Sequence, residues 1–315
     1  MRREREPLAF EQRRPGGRRV HTAEFVAQDG HHGQARTAPA SVSIARVSLP
    51  TRRELAEIFE PIQAEAMAGI VPDVLRVAGA VLTFGGRESF ANRGIGLGLG
   101  MHGDPSDAEL DAIDAFFASR GVVPRLELTT FAEPRLLRRL ADRGYTLFLT
   151  MDLLVRGVSD VPIVPGVEVH RVDPNDDAAV LEHCRAAGSG FQEAGAEVPP
   201  EHLATMLAAA RTPGTDLVAV RVDGRIVGAG SSTCSGSLAA LYGTSVAAEY
   251  RRRGIHRALI AERVRLAAER GCSMATIISA PAGPTERNAL RVGFALGYTR
   301  YILVRRAPGL VNFGE

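Results

Sequence analysis

The residues best placed to do chemistry lie in one stretch, Thr244-Ser245-Val246-Ala247-Ala248-Glu249-Tyr250-Arg251-Arg252-Arg253-Gly254-Ile255-His256-Arg257-Ala258-Leu259-Ile260. It begins like a strand, passes through a short turn and opens a helix whose Ile260, Val264, Ala267 and Ala268 follow an i, i+4, i+7, i+8 stripe. The first turn of a helix carries N–H groups without partners, and the macrodipole places positive potential there. Gly254 lets the backbone approach a phosphate closely. Arg251, Arg252, Arg253 and Arg257 add charge-assisted donors beside the backbone N–H groups of Ile255 and His256. This is a cradle for an anion.

Other chemistries are excluded by what the chain lacks. All 38 of its Lys+Arg residues are arginine, which removes the lysine of a P-loop, of a protein kinase, of a pyridoxal-phosphate Schiff base and of a Ser-x-x-Lys acylase. A Gly-x-Ser-x-Gly elbow fails because Ser232 has Gly230 before it but Cys234 after it. The glycine alternation from Gly94 to Gly100 resembles a dinucleotide fingerprint only until Leu99 or Met101 falls where a glycine is required. Cys184, Cys234 and Cys272 have no C-x-x-C spacing and read as reduced, buried thiols. His183-Cys184 lacks the second pair a zinc site needs, so no metal is expected. A net charge of +2 argues against a nucleic-acid binder.

These residues need elements to position them. At 315 residues the length suggests two domains, at about 150 residues each. The first forty residues hold Arg, Gly, His and Pro without periodicity and no apolar h-region. They read as a disordered basic tail with no secretory signal, in a cytoplasmic protein. A strand is expected at 43–48. A helix capped by Thr51 with Glu54 runs to about residue 68, followed by strands near 80–84 and 93–100. A helix at 106–119, a strand at 124–130, a helix at 134–142 and a strand at 145–156 complete the first segment. The Gly- and Pro-bearing stretch 157–166 is the natural linker.

The second segment opens with a strand at 167–172 and helices near 176–187 and 201–211. Strands at 216–222 and 225–232 flank Asp223-Gly224, a hairpin signal. A strand at 238–246, the long helix at 254–270, a strand at 273–279, a helix at 285–292 and a strand at 295–305 follow. The longest uncharged stretch, 226–248, is too rich in Ser, Thr and Gly for a membrane helix, and no membrane span is expected. Adding 149 to positions in the first segment lands on equivalent elements of the second: 93–100 on 242–249, 106–119 on 255–268, and Gly144-Tyr145 on Gly293-Phe294. The chain reads as a duplicated α/β unit.

Arg251-x-x-Gly254-x-His256, after a strand and before a long helix, resembles the pyrophosphate-binding signature of the GNAT acetyltransferase superfamily, Gln/Arg-x-x-Gly-x-Gly/Ala. His256 replaces the last small residue. The resemblance extends over residues 167–306 and more loosely over 43–156. It implies an α/β (α+β) fold of tandem GNAT-like domains, each a mixed, largely antiparallel sheet flanked by helices. The parts are a tail 1–42, a degenerate GNAT-like domain 43–157, a linker 158–166, a catalytic domain 167–306 and a C-terminal tail 307–315. In the first half, acidic residues at the start of helix 106–119 stand where the second half has its cradle, and they would repel a phosphate.

By the same resemblance acetyl-CoA is the co-substrate, lying in a V-shaped opening between the strands at 238–246 and 273–279. Its pantetheine arm would pair with Thr244, Ser245 and Val246, its pyrophosphate would sit on Arg251–Arg257, and Thr285 and Asn288 of Thr285-Glu286-Arg287-Asn288 would face the cofactor. The Val246 N–H is the expected donor to the thioester carbonyl. The family's general-acid tyrosine is replaced here by Ala289, with Asn288 before it. Tyr298 and Tyr242 are the alternative acids, beside water, and the base stays open among Glu286, His183, Glu249 and a water chain. The implied activity is transfer of an acyl group, acetyl above all, to the amine of a small molecule by direct attack in a ternary complex. The alternatives are a non-catalytic acyl-CoA-binding protein and an O-acetyltransferase; oligomeric state is not legible.

Overall fold

Thr51 opens the first helix, α1 (Arg52–Ala68), through the capping box its spacing predicts. The Glu54 N–H donates to the Thr51 hydroxyl at 3.3 Å, and the Thr51 N–H donates back to the Glu54 carboxylate at 2.8 Å. The protein is represented by a computed structural model that describes residues 49–100, 102–193 and 196–310. The tail 1–42, the strand expected at 43–48 and the last five residues of the C-terminal tail lie outside the described residues.

After α1 come β1 (Asp73–Val77) and β2 (Ala80–Phe84), a hairpin turned by Ala78 and Gly79 at φ 51° and 75°. The sequence reading missed β1, gave β2 with its observed bounds and overextended the strand after it. β3 (Arg93–Ile95) stops at three residues because Gly96, Gly98 and Gly100 all take positive φ, outside the extended region. α2 (Asp107–Ala118), β4 (Arg125–Thr129), α3 (Pro134–Asp142) and β5 (Thr146–Gly157) close the first half as expected.

The second half begins with a short β6 (His170–Arg171), then α4 (Asp177–Ser189) and α5 (Pro200–Ala210). β7 (Thr215–Val222) and β8 (Arg225–Ser235) form the hairpin around Asp223-Gly224, at φ 50° and 78°. β9 (Leu238–Val246), α6 (Ile255–Glu269), β10 (Met274–Ser279), α7 (Pro284–Arg291) and β11 (Ala295–Val304) complete it.

All strands join one sheet in the order β1-β2-β3-β4-β11-β5-β10-β9-β8-β7-β6. It is parallel at β3–β4 and β9–β10 and antiparallel at every other pair. The halves interlock at its centre. β5, the last strand of the first half, lies between β10 and β11 of the second, and β11 lies between β4 and β5 of the first. Elements 149 positions apart occupy matching places, as Arg125 and Met274 at the starts of β4 and β10 illustrate, and Gly144 and Gly293 both turn the chain at positive φ, 87° and 94°.

Apolar faces fix the layers. α2 and α3 bury Phe117, Ile113, Leu136 and Leu140 against Leu82, Leu126 and Leu128. α6 sets Ile260 and Val264 on Ala239, Leu241 and Ile277, while α1 lays Leu55, Ala56 and Phe59 on Leu153, Val155 and Tyr298 at the join. Each such fully buried large side chain contributes about 1.5–3 kcal/mol. The join therefore carries core stability, not a surface contact alone.

Candidate active site

β9 and β10 start side by side, Leu238 opposite Met274, and their pairing ends at Leu241 and Ile277. β9 continues through Val246 with only β8 beside it, and β10 stays on β5, with which it is paired from Met274 to Ser279. That pairing ends before β9 does, at the place where the sequence reading expects a V-shaped opening. A bulge marks the same stretch: the register to β8 shifts between Ala229 and Ser231, and Gly243 stands at φ 58°.

The Val246 backbone faces that opening. The Ala247 N–H donates to the Val227 carbonyl at 2.9 Å, and adjacent residues of an antiparallel strand point their N–H groups to opposite sides. The Val246 N–H and carbonyl therefore point away from β8. The carbonyl accepts from Arg251 Nε at 3.2 Å, which holds the loop's first arginine at the same edge.

Gly254 takes φ 84° and ψ −10°, the left-handed cap of α6, and no side chain caps this helix. Arg252 also lies at positive φ, 65°. Arg251, Arg252, Arg253 and Arg257 are exposed, and none forms an ion pair among the described residues, so their charge is free for a ligand. Arg253 spans the Tyr250 ring at 5.0 Å. α2, the counterpart in the first half, is built the opposite way. Ser106 and Glu109 close a full capping box on its first turn, and the Glu109 carboxylate accepts from the Ser106 N–H at 2.7 Å. An internal carboxylate fills that end, whereas the α6 end is left open.

Thr285 and Asn288 project from α7, partly exposed and without side-chain hydrogen bonds among the described residues. Glu286 is occupied, since its carboxylate accepts from the Ala282 N–H and so closes the turn before α7. Ala289, in the position where the resemblance expects a tyrosine, is fully buried between α6 and α7. His183 is buried, its Nε2 is 3.1 Å from Ser231 Oγ, and desolvation with the nearby Arg263 pushes it down to about 4. His256 is pushed down to about 4 by the same two causes. Both imidazoles are neutral at neutral pH.

The two tyrosines differ. Tyr298 lies 2 % exposed beneath α1, with its hydroxyl donating to Glu60 Oε1 at 2.5 Å, and burial next to that carboxylate pushes its pKa far up. Tyr242 is the first β9 residue past the last β10 pair. It is 36 % exposed, 2.7 Å from Thr233 Oγ1, and held above the usual phenol range by desolvation.

Sequence reasoning missed Arg263. It is fully buried on α6 with no carboxylate partner. Nε donates to Leu259 O at 2.8 Å, Nη1 to Ser231 O at 2.8 Å and Tyr242 O at 3.0 Å, and Nη2 to the Thr244 hydroxyl at 2.6 Å. Gly230 makes room, since a Cβ there would stand 2.9 Å from the guanidinium carbon. Arg263 thus pins the bulge of β9 to β8. Its place on an otherwise apolar helix face, three residues before Leu266 and opposite the Gly228/Gly230 rungs, was the available signal.

Residues 162–277 match the family model described as the acetyltransferase (GNAT) domain. Over this part the chain is similar to a GNAT domain. The fold likeness to solved structures runs through both halves. A GCN5-related N-acetyltransferase from Kribbella flavida aligns over 82 % of this chain and 97 % of its own at 18 % identity, TM-score 0.59. A GCN5-related N-acetyltransferase from Sphaerobacter thermophilus aligns over 76 % and 78 % at 15 % identity, TM-score 0.53. A tandem GNAT protein from the clavulanic acid biosynthesis pathway aligns over 71 % and 76 % at 15 % identity, TM-score 0.51. No curated protein matches the chain. Among the described residues no helix is long and apolar enough to cross a membrane, and no group of three His, Cys, Asp or Glu side chains is arranged to hold a metal.

Proposed function

We propose that this protein transfers an acyl group, acetyl above all, from acyl-CoA to the amine of a small molecule in the β9–β10 opening of its GNAT domain. The observation that carries the reading is the pairing of an uncapped, arginine-flanked helix start at Gly254 with a β9 edge whose Val246 N–H faces the divergence of two parallel strands. The pyrophosphate would sit on the N–H groups of Ile255, His256 and Arg257, with Arg251, Arg252 and Arg253 around it. The pantetheine arm would lie along Thr244, Ser245 and Val246 as an added strand. The side chains of Thr285 and Asn288 on α7 would face the cofactor from the other wall.

In this reading the neutral amine attacks the thioester carbon, whose oxygen gains charge while the Val246 N–H donates to it. The C–S bond then breaks, the new C–N bond remains, and the nitrogen sheds its second proton to water. Tyr242 is the more accessible of the two candidate acids for the leaving thiolate, being partly exposed where the β9–β10 pairing ends, while Tyr298 is buried beneath α1. The first half is read as a degenerate copy, its α2 end closed by Glu109, which serves as scaffold. A binding-only reading has one observation in its favour, the burial of Ala289 where the family's acid is expected.

Calorimetric titration of acetyl-CoA tests the site. Wild type is expected to bind, and the Arg251→Ala/Gly254→Glu variant to lose about 2 kcal/mol or more, the worth of its charge-assisted phosphate contacts. Equal binding by both would overturn the placement. Turnover with a panel of amines, against binding alone, separates transferase from sensor.

A further inference from the structure

Away from the β9–β10 opening, α1 leans over β2 and β3 and closes a cavity of about 320 Å³. Its walls are Ala64, Val81, Ile95 and Leu99, with Glu57, Glu60, Glu65 and His102 the ionisable side chains and no arginine among them. Glu57 and Glu65 are exposed at its rim, and each has an arginine partner on its outer side, Arg53 at 3.8 Å and Arg76 at 2.6 Å.

Glu60 is different. It is 0 % exposed, and its Oε1 accepts from the Tyr298 hydroxyl at 2.5 Å and from Arg300 Nε at 2.8 Å. Oε2 is buried without any partner. Arg300 does not supply one, because its other nitrogens are directed at Glu127 and Gln63. Buried carboxylate oxygens are normally satisfied, and one left without a partner beside a cavity is a place for a donor brought by a ligand. With Glu57 and Glu65 each paired to an arginine, one unpartnered oxygen is too few ligands for a hard metal ion. It fits the end of an alkyl chain that carries an ammonium group.

We propose that this cavity binds a small primary amine, whose ammonium donates to Glu60 Oε2 while its alkyl chain packs on Val81, Ile95 and Leu99. The site is built by the first half and shares no residue with the acyl-CoA opening, so it stands or falls independently of acyl transfer.

Methyl-resolved NMR of the full chain reads it directly. Titrating n-butylamine, with butyrate as the control of equal length and opposite charge, is expected to move the Val81, Ile95 and Leu99 methyls with the amine alone. Ala64→Leu, which fills the cavity and leaves Glu60 and its partners in place, is expected to abolish the response, and Glu60→Gln to weaken it at least ten-fold. Methyls indifferent to butylamine, an equal response to butyrate, or an undiminished response in Ala64→Leu would each overturn the proposal. If Glu60→Gln does not fold, the wild-type and Ala64→Leu titrations still decide.

Discussion

For the acyl transfer proposed above, two phenols set the residue-scale question of which group would protonate the thiolate. Tyr298 is held as a donor to a buried carboxylate, whereas Tyr242 stands at the strand divergence with its hydroxyl partly exposed. Tyr242→Phe is expected to lower kcat about 100-fold, the lower range for one general acid, with acetyl-CoA affinity unchanged. Tyr298→Phe is expected to keep kcat and to lower stability by about 1–3 kcal/mol, because Glu60 loses a donor it cannot replace. Steady-state kinetics and urea melts on the pair check both. The reverse pattern would return the acid role to Tyr298. The sequence names both tyrosines but cannot rank them, since burial and partner are set by α1 from more than two hundred residues away.

At the scale of elements, α6 is the part on which the reading turns. One end is left uncapped for an anion, and its middle sends Arg263 through the sheet's bulge. A buried guanidinium without a carboxylate is costly, and desolvation pushes it down to about 9. The four groups it satisfies, in three separate segments, explain its presence. Arg263→Met keeps the length and removes the donors, leaving the Ser231 and Tyr242 carbonyls and the Thr244 hydroxyl short of partners. It is expected to cost about 2–4 kcal/mol in a urea melt, at about 1–3 kcal/mol per orphaned group less what apolar packing returns. Acetyl-CoA affinity should fall with it, since the bulge aims the β9 edge. Unchanged affinity in a folded Arg263→Met protein would leave Arg263 a purely structural group.

Over the whole molecule two neutral histidines, His183 buried and His256 half-buried, tie stability to pH. His183 and His256 are both pushed down to about 4, against an unfolded value near 6.5. The unfolded chain therefore takes up protons first as pH falls, and the native state loses stability between about pH 6.5 and 4, by up to about 1.4 kcal/mol per pH unit for each histidine. Urea midpoints measured from pH 7 to pH 4.5 are expected to fall, and His183→Gln to flatten the slope. A flat profile in the wild type would contradict the burial of these rings.

The limits of sequence reading follow from the same physics. Periodicity, caps and turn residues act over a few positions, so the Thr51 capping box, the Asp223-Gly224 hairpin, the long helix behind Gly254 and the spacing of matching elements were all legible in the chain. Strand ends governed by glycine φ were less so: β3 stops at Ile95 and β6 is only two residues long. The uncapped helix start could be read because it needs only a left-handed glycine, flanking arginines and the beginning of a helix, all within one heptad. The exchange of β5 and β11 between the halves, the neighbours that bury Tyr298, the bridge made by Arg263 and the open oxygen of Glu60 could not. Each depends on which distant strands lie side by side, and a strand's own pattern says only that both of its faces are buried. Local backbone preference is written in neighbouring residues, whereas the partner across a sheet is chosen by the burial of the whole core, and only the tertiary structure decides it.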